Sequence, residues 1–238
     1  MHMQSIETPE GSLTFDFDPT AVLIYGGGGL SKMIIETVRV LGVYHIIGVI
    51  DDALPAGSDV IGSPVLGGAE ELPKLRQNGI GMAVNSVGGI GNYSVRWNVF
   101  QTLAAAGFHC PAVVHPTAHI DPSARLSAGV LVLAQSYVSG NAKVGFGALI
   151  NNSVVISHDN ILGVCSNFSP GAKLAGDVIV EDFAQLGMNT TVNIGVRIGT
   201  RARIGNSATI KADVPAGTRV HAGTIWPPPF PLKTEQSA

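Results

Sequence analysis

Charged residues are scarce in this chain: Asp, Glu, Lys and Arg make up 13% of its 238 residues. An average soluble domain has about 25% charged residues. Disordered chains and helix-rich proteins both need many more Glu, Lys and Arg, so the shortage argues against both classes. The chain has 45% hydrophobic residues and 30 glycines instead. We therefore expect a folded protein in which helices are not dominant.

No cluster of Lys and Arg is present, and the formal net charge is −3. Nucleic-acid binding requires a basic patch, so we expect small-molecule partners and no nucleic acid. Apolar runs such as HIIGVI (45–50) are also far shorter than the roughly 20 residues that span a bilayer. We therefore predict no transmembrane helix and no membrane partner.

Cysteine is almost absent as well, with only Cys110 and Cys165, each in an apolar context. The start of the chain, MHMQSIETPEGSL, lacks the basic region followed by an apolar one that a secretory signal needs. Disulfides persist in exported proteins. We therefore predict two buried free thiols and a cytoplasmic protein.

After an expected tail (1–19), the first half of the chain alternates β-rich and helical segments. The expected strands are AVLIYG (21–26), HIIGVID (45–51) and GMAVNSV (81–87), and the expected helices cover 30–42, 69–79 and 92–107. Strict alternation of strand and helix indicates a parallel sheet with helices on its faces. We predict a small Rossmann-like α/β domain over residues 20–111.

The second half has a period of six. Every sixth residue is bulky and apolar, in the order Val114, Ile120, Leu126, Val132, Val138, Val144, Ile150, Ile156, Leu162, Phe168, Leu174, Val180, Leu186, Val192, Ile198, Ile204, Ile210. The position four residues after each is almost always small or β-branched, and Asn160 is the clearly polar exception. If a third of all residues were bulky and apolar, chance would give such a run about once in 10⁸ trials, so we exclude accident.

A six-residue period indicates a solenoid in which each hexapeptide forms one short strand and one corner. Three such sides make an 18-residue coil. We predict a parallel β-helix over residues 112–217, followed by a tail (218–238). Glycines beside the bulky residues, such as Gly145 and Gly163, are expected to supply the unusual backbone angles of the corners.

The 18-residue coil stacks one histidine between two glycines. The column that contains His158 runs Gly140, His158, Gly176, Ile194, Ala212. Glycine on both sides predicts open space beside the imidazole, where a ligand could lie, and Asp159 is an acid next to it. The plain alternative is a surface histidine on a turn. The open column and the adjacent acid favour a functional histidine.

A glycine-rich turn, YGGGGLSK (25–32), joins the first strand to the first helix. Backbone N–H groups and a helix N-terminus suit phosphate there. The P-loop pattern fails, and the dinucleotide pattern matches in part, because Ser31 replaces the third glycine. Asp51 and Asp52 follow the second strand, where a ribose-binding acid would lie. The alternative is a merely tight turn.

His115 and His119 have the i, i+4 spacing of metal ligands on a helix. Pro116 and the start of the hexapeptides argue against a helix at this point. We therefore predict no metal site.

The hexapeptides, together with YGGGGLSK…VIDD and VISHDNILG…FSPGAKLAGDVIV, are similar to a family of bacterial sugar acetyltransferases. That family includes sialic acid O-acetyltransferases and N-acetyltransferases of nucleotide-linked 4-amino sugars, and the resemblance covers about residues 20–215. It implies a left-handed β-helix and a homotrimer with active sites between subunits. It also implies acetyl-CoA as co-substrate along the β-helix, a nucleotide sugar held by the N-terminal domain, and a place in polysaccharide biosynthesis.

The resemblance implies roles for individual residues. His158 matches the general base, Asp159 its acidic neighbour, and Gly176 a backbone N–H that meets the thioester carbonyl. The positions implied for acetyl-CoA are Asn167, Gly176, Ile194 and Ala212. Those implied for the nucleotide sugar are Gly26, Gly27, Gly28, Gly29, Lys32, Asp51, Asp52 and Arg96.

The sequence departs from the family pattern at three places. Asn167 occupies the position of a second histidine, Leu30 that of a loop histidine, and AGTIWPPPF (222–230) replaces a terminal GVPA. These departures affect the contacts with acyl-CoA and sugar.

The function expected from these features is acetyl transfer from acetyl-CoA to the amine of a UDP- or dTDP-linked 4-amino sugar. Three alternatives remain open: O-acetylation of a sialic acid or another sugar hydroxyl, a metal enzyme of the carbonic-anhydrase type, and a non-catalytic nucleotide-sugar-binding protein. The metal enzyme needs three histidines that converge between subunits, and the next histidine after His158 is His221, beyond the repeat.

Overall fold

The structure is a computed structural model, and it describes residues 5–8, 11–14, 17–88 and 91–228. The chain forms two compact units. The first comprises Met1–Pro116 and Ala128–Leu133, and the second Thr117–Ser127 and Ala134–Ala238. No helix within the described ranges is long and apolar enough to cross a membrane.

The first unit contains all the helices of the described chain and a five-stranded sheet. Numbered along the whole chain, its elements are β1 Ser5–Thr8, β2 Gly11–Thr14, β3 Asp18–Tyr25, α1 Gly29–Leu41, β4 His45–Ile50, β5 Asp59–Val60, β6 Ser63–Gly67, a 3₁₀ turn Ala69–Glu71, α2 Leu72–Gln77, β7 Ile80–Asn85, α3 Tyr93–Ala105, β8 Val113–Val114 and β11 Leu131–Val132. Strands β1 and β2 pair with each other within the segment expected to be a tail. The predicted strands and helices are present, whereas β5 and β6 were not predicted.

Strand β3 lies at the centre of the sheet, whose order is β5-β6-β4-β3-β7. It pairs in parallel with β4 on one side and β7 on the other. The strands that follow β3 in the chain therefore lie first on one side of it and then, with β7, on the other. In sheets of this kind ligands bind outside the carboxyl ends of the strands at such a switch point. The glycine-rich turn follows β3 and lies at that point.

Helix α1 follows from its sequence pattern. Ile34, Ile35 and Val38 recur at helical spacing and are fully buried. Gly42 ends the helix with φ +71° and donates its N–H to the Val38 carbonyl, 3.3 Å away. A left-handed residue at a helix end favours glycine because it lacks Cβ.

The second unit is a parallel β-helix of two-residue strands. They are β9 His119–Ile120, β10 Arg125–Leu126, β12 Tyr137–Val138, β13 Lys143–Val144, β14 Leu149–Ile150, β15 Val155–Ile156, β16 Ile161–Leu162, β17 Asn167–Phe168, β18 Lys173–Leu174, β19 Ile179–Val180, β20 Gln185–Leu186, β21 Thr191–Val192, β22 Arg197–Ile198, β23 Arg203–Ile204, β24 Thr209–Ile210, β25 Arg219–Val220 and β26 Ile225–Trp226. Neighbouring strands pair with a shift of one 18-residue coil; Tyr137, for example, pairs with Val155.

The six-residue apolar repeat forms the core, as predicted. Its members occupy the second position of each strand, and those from Val132 to Ile210 are buried. The first three members, Val114, Ile120 and Leu126, are half-buried. The hydrophobic interior therefore begins within the first coil.

Each corner contains one residue in the left-handed region. Such residues recur at six-residue spacing from Gly129 to Ser207, and most are not glycine. A left-handed conformation costs an ordinary residue about 1–2 kcal/mol. At nearly every corner this residue donates its N–H to the preceding coil, as Asp159 does to the Gly140 carbonyl at 3.0 Å and Asp177 to the His158 carbonyl at 3.1 Å. These hydrogen bonds between coils offset the strain.

The expectation for the glycines beside the bulky residues was wrong. Gly145 and Gly163 are not among the residues with positive φ. A Cβ at Gly145 would lie 2.7 Å from the Leu162 carbonyl oxygen, and one at Gly163 would lie 2.5 Å from the Asp182 nitrogen. These glycines are required because the backbone of the next coil passes too close for any side chain.

The last coil is shorter than the others. Thr209 pairs with Ile225, and Ile198 forms a bridge with Val214, so the register shortens by two residues. The deletion falls in the corner that contains Ala212. The repeat continues through β26, past the expected boundary at residue 217.

Both cysteines are free thiols, as predicted; Cys165 is buried, whereas Cys110, also predicted to be buried, is only partly buried. Burial raises the pKa of the Cys110 thiol to about 12, although the nearby Arg96 guanidinium acts in the opposite direction.

Phe168 is fully buried, and we expect Phe168→Ala to lower the free energy of unfolding by about 3–5 kcal/mol through lost apolar burial and a residual cavity. Denaturant unfolding followed by far-ultraviolet circular dichroism measures this. Ile161→Ala is the matched control, because its side chain is 44% exposed and should cost about 1 kcal/mol or less. Equal losses would contradict the assignment of Phe168 to the core.

Candidate active site

His158 and Asp159 lie at the corner between β15 and β16. Asp159 is the left-handed residue of this corner, with φ +58°. Asn141, Asp177 and Gly195 occupy the equivalent position in neighbouring coils. Asn, Asp and Gly tolerate this conformation best, so the backbone alone accounts for an aspartate here. Its carboxylate then forms contacts that the backbone does not require.

The Asp159 carboxylate joins His158 to the preceding coil. Its Oδ2 lies 2.8 Å from His158 Nδ1, and its Oδ1 accepts a hydrogen bond from Asn141 Nδ2 at 3.2 Å. The hydrogen bond from His158, followed by that from Asn141, lowers the pKa of the Asp159 carboxyl. An ionised carboxylate only accepts hydrogen bonds, so Nδ1 carries the proton. In the neutral ring, Nε2 is therefore left as a proton acceptor.

The His158 ring lies against Gly176 in the next coil. A Cβ at Gly176 would lie 3.0 Å from Nδ1 and closer still to Cε1 and Nε2. The open space expected above the imidazole is therefore filled by the ring itself. Gly176 is required because it seats the ring. On the other side, a Cβ at Gly140 would meet Ser123 Oγ at 3.1 Å and not the imidazole.

Asn160, the polar exception in the repeat, holds this corner to the next one. Its Nδ2 donates to the Ser157 carbonyl at 2.7 Å and to the Ala175 carbonyl at 3.0 Å. Its Oδ1 accepts the Val178 N–H at 3.1 Å. The side chain is fully buried, so these bonds fix the corners of His158 and Gly176 relative to each other. Sequence reasoning marked the exception but assigned it no role.

The residues implied for acetyl-CoA do not all lie at this corner. The Gly176 N–H donates to no hydrogen bond among the described residues, and the residue packs against the imidazole. Ile194, one coil further on, is 65% exposed. Ala212 lies in the shortened corner, and Asn167 is buried in strand β17 of a different sheet. The column thus brings together His158, Gly176 and Ile194.

In the first unit, Asp51 fixes the glycine-rich turn. Its Oδ2 accepts the Gly27 N–H at 2.6 Å, and its Oδ1 accepts those of Ala53 and Leu54 at 2.9 and 3.0 Å. Partial burial raises the pKa of this carboxyl, but the three N–H donors outweigh it and hold the pKa below its ordinary value. Both carboxylate oxygens of Asp51 are thus engaged by backbone N–H groups of the protein.

Gly28 and Gly29 have no packing reason to be glycine. A Cβ at either position would meet nothing within 4 Å, and neither residue has a positive φ. Both are exposed at the first turn of α1, whose N-cap has no side-chain hydrogen bond. Gly26 differs, because its φ of +105° requires glycine. Lys32 is exposed one turn further along α1.

Two residues expected to bind the nucleotide sugar make structural contacts. Asp52 accepts the Tyr25 hydroxyl at 3.0 Å and the Ala69 N–H at 2.8 Å. Arg96 is 2% exposed, and its Nη1 donates to the carbonyls of Asn85 and Val87, each at 2.9 Å. Its placement in the substrate site is a correction: the guanidinium is buried against the end of β7, whose carbonyls it satisfies.

His119 forms a second histidine–aspartate pair. Its Nε2 lies 3.0 Å from Asp121 Oδ1, and Asp121 Oδ2 accepts the Tyr137 hydroxyl at 3.0 Å. Across the described ranges, no group of three or more His, Cys, Asp or Glu side chains is placed to hold a metal ion.

A corner histidine on a parallel β-helix, which follows in the chain an α/β unit with a glycine-rich turn, agrees with the class that the sequence resemblance implied, the hexapeptide-repeat acyltransferases. Residues 21–103 match the family model of the PglD N-terminal domain. A curated relative, the GDP-perosamine N-acetyltransferase of Escherichia coli O157:H7, is 29% identical over 107 residues, which cover 45% of this chain and 48% of that protein. The match thus spans about half the length of this curated relative.

Solved structures match over most of their length. PerB from Caulobacter crescentus, in complex with CoA and GDP-perosamine, is 32% identical; the match covers 86% of this chain and 95% of that one, with a TM-score of 0.80. The acetyltransferase domain of PglB from Neisseria gonorrhoeae FA1090, in complex with acetyl coenzyme A, is 27% identical over 86% and 97% of the two chains, with a TM-score of 0.79. The chain belongs to the left-handed β-helix sugar acetyltransferase family.

We expect Gly176→Ala to displace the His158 ring, because the added methyl group occupies the position of the imidazole. Turnover of the acceptor reaction proposed below should fall about 100-fold or more, since a displaced base loses most of its effect. Gly140→Ala is the control from the same column: its methyl group would lie 3.1 Å from Ser123 Oγ and 3.8 Å from Asp121 Oδ2, not against the imidazole, and should leave turnover within about threefold. Equal activities of the two variants would contradict the seating role of Gly176.

Replacing Asp51 with Asn should destabilise the first unit by about 1–3 kcal/mol at pH 7. The amide has a single oxygen, which cannot accept both the Gly27 N–H and the Ala53 N–H. The lowered pKa sets the pH dependence. The contribution of Asp51 is complete above its unfolded pKa, about 3.9, and is lost as the pH falls through the lower folded pKa. Unfolding midpoints at a series of pH values should show the difference from wild type shrinking below about pH 4. A difference that stays constant down to pH 3 would contradict this role.

Proposed function

We propose that the protein transfers an acetyl group from acetyl-CoA to the amino group of a nucleotide-linked amino sugar. The observation that carries the proposal is the His158 side chain: Asp159 holds Nδ1, Nε2 is left as a proton acceptor, and the ring is seated against Gly176. Membership of the family and the match to sugar N-acetyltransferases support this reaction over other acyl transfers.

In the proposed reaction the neutral acceptor amine attacks the thioester carbonyl carbon, and His158 Nε2 takes the proton that the nitrogen loses. The Asp159 carboxylate stabilises the imidazolium formed. The tetrahedral intermediate then collapses to the amide and expels the CoA thiolate, which receives the proton from His158. His158 and Asp159 belong to one coil and the Gly176 N–H to the next, and Asn160 holds these two coils together.

The Gly176 N–H is the proposed oxyanion donor. No described residue accepts this N–H, and Gly176 packs against the imidazole, so we place the thioester carbonyl between Gly176 and His158. Loss of a comparable donor costs about 3 kcal/mol of transition-state stabilisation in other enzymes.

The two cysteines do not favour a covalent acyl-enzyme. Burial raises the pKa of the Cys110 thiol to about 12, so the nucleophilic thiolate is disfavoured at neutral pH, and Cys165 is buried. Direct attack by the acceptor requires neither thiol.

The glycine-rich turn is the proposed site of the nucleotide sugar. Gly28 and Gly29 are exposed and need not be glycine for packing, which supports close approach of a phosphate to the helix N-terminus. The UDP- or dTDP-linked acceptor expected from the sequence stays a prediction. Since the similar Caulobacter structure contains GDP-perosamine, GDP-linked sugars belong in the first test. The homotrimer implied by the resemblance also stays a prediction.

Release of free CoA thiol from acetyl-CoA, measured with GDP-, UDP- and dTDP-linked amino sugars, tests the proposal. We expect release that depends on one amine acceptor and a 10²- to 10⁴-fold lower turnover in His158→Ala. His119→Ala is the matched control, because it removes another exposed histidine bound to an aspartate and should leave turnover unchanged.

Two results would contradict parts of the proposal. Release with sugar hydroxyls but with no amine would replace N-acetylation by O-acetylation. Equal activity of His158→Ala and His119→Ala would remove His158 from the role of base.

A further inference from the structure

A cleft of about 420 Å³ opens beside the His158 corner. It is lined by Ser123, Arg125, Asn141, Lys143, Asp159 and Ile161. All six residues belong to the β-helix unit and come from three successive coils. Asp159 lines the cleft and also binds His158, so the cleft adjoins the proposed base.

Two cations are stacked in this cleft. Arg125 and Lys143 are paired in register on β10 and β13, so their backbones lie about 4.8 Å apart. Like charges directly opposite each other destabilise a sheet. Neither side chain forms a hydrogen bond or an ion pair with any described residue. Arg197, in the same sheet, is neutralised by Glu181 at 2.7 Å. Arg125 and Lys143 therefore lack a counter-charge.

The nearby carboxylate does not supply that charge. Asp159 directs Oδ2 to His158 and Oδ1 to Asn141, and it forms no ion pair with Lys143. Two cations thus face one carboxylate whose oxygens are both engaged. An anion with several oxygens would satisfy the donors of both cations.

The cleft and the imidazole lie on opposite sides of the corner. The His158 ring is seated on Gly176 in the following coil, whereas the cations lie in the two preceding coils. At about 4.8 Å per coil, Lys143 lies one coil and Arg125 two coils before the corner. A group bound there would lie in the coils next to the catalytic corner, on the side away from Gly176.

We propose that Arg125 and Lys143 form an anion subsite that binds a phosphate or diphosphate group of one reactant. The identity of the reactants rests on the function proposed above. CoA can supply such a group through its diphosphate. The nucleotide sugar supplies it if its diphosphate binds here and not at the glycine-rich turn, and the test below distinguishes the two sources. Ile161, 44% exposed, follows Lys143 in the same column and lines the cleft with an apolar side chain.

The double variant Arg125→Gln/Lys143→Gln tests the subsite. We expect inorganic pyrophosphate to bind about 10-fold or more weakly by calorimetry, and the KM of one reactant to rise by a similar factor while kcat stays within about twofold. A rise for the nucleotide sugar identifies the acceptor as the source of the anion, and a rise for acetyl-CoA identifies the donor. In the wild type, the pyrophosphate affinity should decrease with added salt.

The control is Arg203→Gln/Arg219→Gln. These arginines are also stacked on neighbouring strands without an ion pair, but they lie in another sheet and do not line the cleft. The control should leave both KM values and pyrophosphate binding unchanged. If the two double variants behave alike, or if Arg125→Gln/Lys143→Gln changes neither quantity, the subsite is refuted.

The test separates the subsite from the function. If no acceptor is acetylated but the cleft variant alone weakens pyrophosphate binding, the proposed function fails and the subsite stands. If acetyl transfer occurs with unaltered kinetics and binding in the cleft variant, the function stands and the subsite fails. Equal thermal unfolding midpoints of the variants and the wild type show that the changes do not arise from unfolding.

Discussion

Backbone hydrogen bonding between successive coils is the constraint on which the β-helix depends. Each strand has only two residues, so a single coil cannot form a stable sheet, and every coil needs its neighbours. The corners take part too, because the left-handed residue at nearly every one donates its N–H to the coil before it. This requirement keeps the register at 18 residues over most of the helix and places side chains from separate repeats in vertical columns.

The proposed active site uses that register for chemistry. The corner backbone favours Asp or Asn at position 159, and the same carboxylate fixes the tautomer of His158. A buried amide, Asn160, replaces the usual small residue and ties the histidine corner to the glycine corner. The residue type that the corner backbone favours is therefore also the one that orients the proposed base. The strain of this corner is offset by a hydrogen bond of the kind found at nearly all the corners.

The sequence was sufficient for the architecture because both periods are strong. The six-residue repeat predicted the core positions, and the column of His158 with Gly176 was correct. Contacts within a column could not be predicted, since spacing does not show where a ring points: the space predicted beside His158 is filled by the imidazole. Arg96 was misplaced because an arginine after a strand reads as exposed, whereas here three backbone carbonyls compensate its burial. Strand β5 was missed because it has only two residues, and β6 because it follows a turn-rich segment and contains a proline.

The contact between the His158 ring and Gly176 has an evolutionary consequence. Eighteen residues separate the two positions in the chain, but any side chain at the second collides with the first. Neither position can therefore drift independently: a lineage that lost the histidine would release the glycine from constraint, and one that first gained a larger residue at 176 would have to abandon the imidazole. The pair should be inherited as a unit, so its joint presence in a homologue distinguishes chains that retain this site from those that retain only the solenoid.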